Sequence, residues 1–202
     1  MIKELSPLTK NKLEILKFIY EKHETHLLDI AKHLEIHPFS LQKTLRSLKS
    51  VLEEKKTGRT IVLKIDKNIK DYFELIYIIE DYKLKNGGRI LKLLVKSLKE
   101  FFSKDRNVLA CVLFGSFARG SFDEKSDIDL LFVVKSKAKE IEERCSKLST
   151  LLGREINPIV MNEREFGIAL QAKEPAIASL LEPSQRLLII GKEYFLRNTY
   201  GM

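Results

Sequence analysis

The 202-residue sequence contains 36 Lys and Arg residues against 28 Asp and Glu residues, which gives a formal net charge of +8 at pH 7. Its 44% hydrophobic and 32% charged residues are typical of a folded globular protein rather than of a disordered chain. The longest apolar runs, LLFVV at 130–134 and LLII at 187–190, are far too short to cross a bilayer.

The N-terminus, MIKELSPLTK, lacks the apolar stretch of a secretion signal, so we expect a cytoplasmic protein with no membrane partner. The positive charge is concentrated in the first third of the chain. Residues 1–70 contain 15 Lys and Arg against 9 Asp and Glu, a net +6, whereas the remaining residues contribute +2. This excess indicates an anionic partner for the first third, and a solvated Lys-rich surface is the alternative.

Three helices are predicted near the N-terminus. Residues 9–21 and 25–34 carry apolar side chains at helical spacing, and Thr25 is a suitable N-cap for the second helix. The third helix has Pro38 in its first turn, where proline is tolerated. Its apolar face is expected to be a stripe of four leucines: Leu41, Leu45, Leu48 and Leu52.

A β-hairpin follows in VLEEKKTGRTIVLKID, with its turn at Thr57-Gly58. Alternation predicts that Ile61, Leu63 and Ile65 point toward the core.

Three helices followed by a basic hairpin resemble the winged helix-turn-helix modules of prokaryotic transcriptional regulators, over residues 8–66. The resemblance implies that the third helix enters the major groove of double-stranded DNA while the hairpin contacts the backbone. Gln42 and Arg46 could also address base edges. The candidate DNA-binding residues are Ser40, Gln42, Lys43, Arg46 and Lys49 on the helix, with Lys55, Lys56 and Arg59 on the hairpin. A dimerisation or protein-docking module of the same fold is the alternative.

The segment DYFELIYIIEDYKL at 71–84 predicts an aromatic-rich helix that stops before Gly87-Gly88. We interpret it as a connector whose aromatic side chains could also pack against a second subunit, so a homodimer is expected. The predicted organisation is a winged-helix domain at 1–68, a linker helix at 69–88 and a second domain at 89–202.

A glycine-serine turn and a pair of aspartates mark the second domain. The buried strand 108–114 leads into Gly115-Ser116, and after ten intervening residues Asp127 and Asp129 flank Ile128 at the start of another strand. Both carboxylates leave the strand on one face, where like charges repel unless a cation neutralises them. A phosphate-binding P-loop is not expected, because that motif requires Lys where this chain has Ser121.

This spacing, with GSFARG at 115–120, resembles the nucleotidyltransferase domain of the DNA polymerase β superfamily, over residues 89–195. The resemblance implies a small mixed-sheet α/β fold, so that the whole chain combines α+β and α/β domains. It also implies that Asp127 and Asp129 are catalytic and bind Mg²⁺ or Mn²⁺, whose preferred ligands are oxygens. The nucleoside triphosphate, expected to be ATP, would contact four residues of the loop: Gly115, Ser116, Arg119 and Gly120.

The sequence departs from the family pattern at one position. A third carboxylate usually lies on the next strand and helps to activate the acceptor hydroxyl, and the matching residue here is Asn157. An amide can ligate a metal weakly but cannot act as a base. Glu155, two residues earlier on the same strand face, is the alternative third ligand.

Three functions are compatible with these patterns. The first is a DNA-binding enzyme that transfers AMP to the hydroxyl of a protein acceptor, such as a toxin. The second is a transcriptional regulator whose nucleotidyltransferase domain binds nucleotide with weak or no turnover, as Asn157 favours. The third is a protein-docking module without DNA binding.

Overall fold

The computed structural model of the protein describes residues 7–58, 60–136 and 139–200. The chain divides into two compact units, Met1–Lys83 and Leu84–Met202. Among the helices of the described residues, none is long and apolar enough to cross a membrane.

The N-terminal unit combines helices with one small antiparallel sheet. Its strands have the order β1-β3-β2, and at the tip of the β2–β3 hairpin Thr57 pairs with Thr60. Gly58 follows Thr57 with a φ of 62°, a conformation that favours glycine. The elements are α1 (Lys10–Lys22), β1 (Glu24–His26), α2 (Leu27–His33), α3 (Pro38–Arg46), β2 (Leu52–Thr57), β3 (Thr60–Ile65) and α4 (Tyr72–Lys85), the last of which ends two residues beyond the unit.

The third helix is shorter than its leucine stripe suggests. Leu41, Leu45 and Leu48 are buried, but α3 ends at Arg46, and the fourth leucine of the predicted stripe is the first residue of β2. The Ser47 hydroxyl donates a hydrogen bond of 2.7 Å to the Thr44 carbonyl and so satisfies one acceptor that the helix end leaves open. Leu52 is buried from a strand, so the periodicity of buried leucines did not locate the end of the helix.

Two further predictions for this unit were wrong. Thr25 is not a helix N-cap but the central residue of β1, where it is buried and pairs with Leu63 of β3. A three-residue strand is too short to produce a detectable alternation, and its stability comes from pairing with β3. Leu63 and Ile65 are buried as predicted, whereas Ile61, closer to the hairpin tip, is 37% exposed.

The helix predicted as a connector is tied to α1 of its own unit. The Tyr20 hydroxyl donates a 2.9 Å hydrogen bond to the fully buried Glu80, and the Tyr82 hydroxyl donates a 2.7 Å bond to Glu14. The ammonium of Lys83 lies 3.5 Å from Glu80 and 3.8 Å from Glu21. Burial raises the pKa of Glu21, so this cluster holds its charges away from bulk water. Contacts from the second half of α4 therefore make this helix an integral part of the N-terminal unit.

The C-terminal unit is built on a four-stranded mixed sheet with the order β6-β5-β4-β7, as the mixed-sheet prediction requires. β4 is antiparallel to β5 and to β7, whereas β5 and β6 are parallel. The elements are α5 (Arg89–Phe102), β4 (Val108–Phe114), α6 (Gly115–Arg119), β5 (Ile128–Val134), α7 (Lys139–Leu152), β6 (Ile156–Asn162), α8 (Glu163–Ala172), α9 (Pro175–Ser179), a 3-10 helix (Pro183–Gln185), β7 (Leu187–Ile190) and α10 (Lys192–Tyr200).

One face of this sheet forms the main core of the unit. Ile128, Leu130 and Phe132 of β5 are fully buried and pack with apolar residues of α5 and α7. Because side chains alternate across a strand, Asp129 points to the opposite face of the sheet. The buried residues of β5 thus fix the direction of the acidic ones.

Candidate active site

The two aspartates lie where the loop after α6 enters β5. Asp127 is exposed and immediately precedes the strand, and Asp129 is half-buried within it. Ile128 between them is fully buried, so both carboxyl groups are directed away from the core.

Gly115 faces Asp129 across the antiparallel pair of β4 and β5. Phe114, the last residue of β4, is in register with Asp129, and Gly115 follows it with a φ of 70°. A Cβ atom at position 115 would overlap Asp129 Oδ2. Glycine is therefore required at position 115 for two reasons. Its backbone has a left-handed conformation that other residues rarely adopt, and the Asp129 carboxylate occupies the space that a side chain would need.

The electrostatics of Asp129 reflect this crowding. Burial raises the pKa of the Asp129 carboxyl, and the negative charge of Asp127 raises it further, while a hydrogen bond from Asn157 and the charge of Arg119 act in the opposite direction. The net direction is upward, which means that the charged form of Asp129 is disfavoured in the protein alone. A divalent cation would reverse that preference, and carboxylates and an amide oxygen are suitable ligands for Mg²⁺. The residues present fit such an ion.

Asn157 lies beside the aspartates on the neighbouring parallel strand. It is in register with Asp129, and its Nδ2 atom is 3.5 Å from Asp127 Oδ2. The backbone carbonyl of Glu155 accepts a 2.9 Å hydrogen bond from the amide of Ile128, but its side chain is exposed. Among the described residues, no group of three or more Asp, Glu, His or Cys side chains is arranged to hold a metal, so Glu155 does not complete a carboxylate triad.

The remaining loop residues lie around this pair. Arg119, at the end of α6, is exposed, donates a long 3.4 Å hydrogen bond to Gln185 Oε1, and is close enough to Asp129 to lower its pKa. Ser116 is half-buried in the first turn of α6, and Gly120 caps that helix with a φ of 71°. The structure thus brings the glycine-serine turn, Arg119 and both aspartates together at one end of the central strands β4 and β5.

Two residues of this region received no role from the sequence. Gln185 is the last residue of the 3-10 helix before β7, and Arg154 precedes β6 by two residues. Arg154 donates hydrogen bonds to backbone carbonyls of the loop that carries Asp127. Neither contact follows from a motif, because each joins residues at least 28 positions apart.

The candidate DNA-binding residues of the other unit are exposed wherever they are described. Lys49 belongs to the turn after α3 rather than to the helix, which corrects its predicted placement. Arg59 lies outside the described residues. The exposed candidates are Ser40, Gln42, Lys43 and Arg46 on α3, Lys49 in the turn, and Lys55 and Lys56 on β2.

We expect Gly115→Ala to weaken Mg²⁺-dependent ATP binding by about tenfold or more, a loss typical of disturbing the groups that orient a metal ligand. The new methyl group would displace Asp129, and the left-handed backbone would cost about 1–2 kcal/mol of stability in addition. Isothermal titration calorimetry would measure the affinity and thermal unfolding the stability.

Gly58→Ala is the matched control, because Gly58, in the hairpin of the N-terminal unit, has a φ of 62° and open space around a Cβ atom. It should lose similar stability and keep its ATP affinity. If both variants lose the same ATP affinity, the loss in Gly115→Ala does not come from displacing Asp129.

Comparison with known proteins identifies the C-terminal part of the chain. The family described as polymerase beta, nucleotidyltransferase, matches residues 96–176. Two proteins of Methanocaldococcus jannaschii, named as candidate protein adenylyltransferases, are also similar. One is 41% identical over 76 residues, covering 35% of this chain and 76% of that protein, and the other is 30% identical over 125 residues, covering 58% and 80%.

Solved structures show weaker similarity. A toxin–antitoxin crystal structure with AMP-PNP is 20% identical, covers 57% of this chain and 86% of its own, and has a TM-score of 0.38. A Sulfolobus solfataricus structure, named as a candidate nucleotidyltransferase, is 30% identical, covers 43% of this chain and 76% of its own, and has a TM-score of 0.28. The sequence relationships carry the assignment: the chain belongs to the polymerase beta nucleotidyltransferase family.

Proposed function

We propose that the C-terminal unit binds ATP with Mg²⁺ and transfers AMP to a hydroxyl group of a protein acceptor. The observation that carries this proposal is the pair Asp127 and Asp129 at the start of β5, of which Asp129 lies directly against Gly115. The names of the two archaeal relatives support adenylate as the transferred group and a protein as the acceptor.

In this reaction the acceptor oxygen forms a bond to the α-phosphorus, and the bond from that phosphorus to the oxygen bridging to the β-phosphate breaks. Pyrophosphate leaves, and the hydroxyl proton is released. Asp127, Asp129 and the amide oxygen of Asn157 would hold the cation, which supplies charge neutralisation for the triphosphate and the leaving group. Arg119 adds a positive charge near Asp129.

The protein's remaining contribution is positioning. The backbone at Gly115 can approach a phosphate closely because it lacks a side chain, and the Ser116 hydroxyl adds a donor. Phosphoryl-transfer enzymes obtain most of their rate from such positioning and electrostatic stabilisation. Asn157 cannot accept the hydroxyl proton, so we expect transfer to be slow, with solvent or the substrate taking the proton.

This proposal is tested by incubating the purified protein with α-labelled ATP, Mg²⁺ and the product of the neighbouring gene. Label on protein, abolished by chelation of the metal, is the expected result. Tight ATP binding without label on any protein would favour the second function, a regulator with a nucleotide-binding domain that does not turn over. Failure of the protein to bind ATP with Mg²⁺ would overturn both.

We propose in addition that the N-terminal unit is a winged helix that binds double-stranded DNA. The order of its three helices and its antiparallel hairpin supports this proposal, and so does the net charge of +6 in residues 1–70. Lys43 and Arg46 lie on the exposed surface of α3, away from the buried Leu41 and Leu45.

Replacing both cations, Lys43→Ala with Arg46→Ala, should weaken DNA binding without unfolding the unit, since alanine is a good helix former. Each lost phosphate contact reduces the slope of log affinity against log salt concentration by about 0.9, so the slope should fall by up to about 2. Fluorescence anisotropy with the gene's own upstream region, at several salt concentrations, measures both quantities.

The matched control is Lys92→Ala with Lys99→Ala, which removes the same charge from exposed positions of α5 in the other unit. It should leave the slope unchanged. Wild-type binding no tighter than the non-specific range of about 10⁻⁴–10⁻⁶ M would instead favour the protein-docking module.

A further inference from the structure

Arg154 joins three segments that carry the candidate active site. Its Nη1 atom donates hydrogen bonds of 2.8 Å to the Asp123 carbonyl and 3.1 Å to the Ser126 carbonyl, both in the loop between α6 and β5. Its guanidinium also lies over the Phe117 ring of α6, 5.3 Å from the centroid. The residue itself belongs to the short connection that leads into β6 and Asn157.

The loop that Arg154 contacts is already folded on itself. The Ser126 hydroxyl donates a 2.9 Å hydrogen bond to Asp123 Oδ1, which also accepts one of 2.9 Å from the Lys125 amide. The hydrogen bond from Ser126 is the largest of the effects that lower the pKa of Asp123. Phe122 stacks on Phe117 with 4.2 Å between ring centroids and 5° between the ring planes. These contacts order the loop, but none of them reaches the peptide group that precedes Asp127.

Arg154 provides that missing contact. The Ser126 carbonyl belongs to the peptide group on the N-terminal side of Asp127, and Arg154 holds it. The Ile128 amide belongs to the peptide group on the C-terminal side, and the Glu155 carbonyl holds it at 2.9 Å. With both flanking peptide planes fixed, the two backbone dihedral angles of Asp127 are fixed as well, and with them the direction of its Cα–Cβ bond.

The anchor of Arg154 is itself held in place. Its backbone amide donates a 3.2 Å hydrogen bond to the Ser149 carbonyl near the end of α7. The Ser149 hydroxyl in turn accepts a 3.1 Å hydrogen bond from the Ile156 amide at the start of β6. The connection between α7 and β6 is therefore a fixed support from which the guanidinium extends to the loop.

We infer that Arg154 is a positioning residue, which orients the exposed Asp127 beside Asp129 so that the two carboxylates can share the cation of the bound triphosphate. This inference rests on the proposed nucleotide function. Asp127 needs such support, because the backbone at the end of an exposed loop would otherwise sample several conformations and carry the side chain with it. Groups that orient metal ligands typically contribute about 10–100-fold to metal affinity.

The test compares Arg154→Met, which retains an apolar stem but has no donor, with Arg154→Lys, which retains a charged donor. Arg154→Met should weaken Mg²⁺-dependent ATP binding in calorimetry by about 10–100-fold, and Arg154→Lys should recover most of that loss. In the absence of metal and nucleotide, amide hydrogen exchange around residues 121–128 should accelerate in Arg154→Met and much less in Arg154→Lys. If Arg154→Met does not fold, Arg154→Gln, which retains a neutral donor, takes its place in the comparison.

Arg144→Met is the matched control. Arg144 of α7 also donates to a backbone carbonyl, that of Phe101 at 2.8 Å, and lies over an aromatic ring, that of Phe102 at 5.4 Å. It should lose stability in thermal unfolding but keep its affinity for ATP with Mg²⁺. The inference is overturned if Arg154→Met binds as the wild type does, or if Arg144→Met loses as much affinity. Wild-type protein that fails to bind overturns the proposed function, and this inference with it.

Discussion

Replacing both aspartates, Asp127→Asn with Asp129→Asn, is expected to abolish Mg²⁺-dependent ATP binding and leave the fold intact. The amides preserve the size and shape of the side chains but remove the two negative charges that a divalent cation requires. Isothermal titration calorimetry of ATP with Mg²⁺ would show no heat of binding in the double variant. Circular dichroism would show the secondary structure of the wild type.

Although the substitution of Asp129 removes ATP binding, it should make the metal-free protein more stable at neutral pH. Because the pKa of Asp129 is raised in the folded protein, the folded state holds a proton more tightly than the unfolded state does. The stability that this proton provides is complete below the ordinary pKa of aspartate and is lost as the pH rises through the raised value. At neutral pH the charged carboxylate is therefore a net cost, and Asp129→Asn should raise the melting temperature of the metal-free protein.

The same shift sets the pH dependence of binding. Mg²⁺ competes with the proton for Asp129, so ATP affinity should decrease on acidification at a pH above that expected for an ordinary aspartate. A control with the same change of charge is Glu142→Gln with Glu143→Gln, on the exposed surface of α7. That control for the double aspartate variant should bind ATP as the wild type does.

If Asp127→Asn with Asp129→Asn also binds ATP as the wild type does, Asp127 and Asp129 are not the metal site.

The sequence predicted the parts of the site that depend on neighbouring residues. The strand at 108–114 has the predicted bounds, and the alternation at 127–129 correctly predicted a buried Ile128 between two outward aspartates. The first follows from a continuous apolar run and the second from the two-residue period of a strand, and both patterns are contained in a short stretch of sequence.

The features that were missed depend on contacts between distant segments. The strand β1 exists because Glu24–His26 can pair with β3, some forty residues later, and three residues carry no period of their own. No local pattern distinguishes Arg154 from the other arginines of the sequence. Only the folded chain shows that its side chain reaches the backbone carbonyls of the loop before Asp127. The sequence left open whether Glu155 could replace the third carboxylate, which depends on the direction of its side chain. Among the described residues no group of three Asp, Glu, His or Cys side chains is arranged to hold a metal.

Asn157→Asp should create or raise nucleotidyl transfer. Asn157 is in register with Asp129, and its side chain is 3.5 Å from Asp127 Oδ2, so a carboxylate there would add a third acidic ligand to the pair. It would also provide a group able to accept the proton of the attacking hydroxyl. A well-placed general base typically contributes about 10²–10⁴-fold to the rate, and the labelled-ATP assay with the acceptor protein present measures that gain.

The same substitution should destabilise the metal-free protein at neutral pH. A third negative charge beside Asp127 and Asp129 raises the pKa of the carboxyl groups, so the stability of the charged form falls as the pH rises through those raised values. Added Mg²⁺ should restore the melting temperature more in Asn157→Asp than in the wild type, because the ion neutralises more repulsion. Glu155→Gln is the control, since this exposed residue is expected to affect neither the rate nor the response to Mg²⁺. If the wild type already transfers AMP rapidly and Asn157→Asp slows it, the amide is itself the ligand that this site requires, and the missing carboxylate is not what limits turnover.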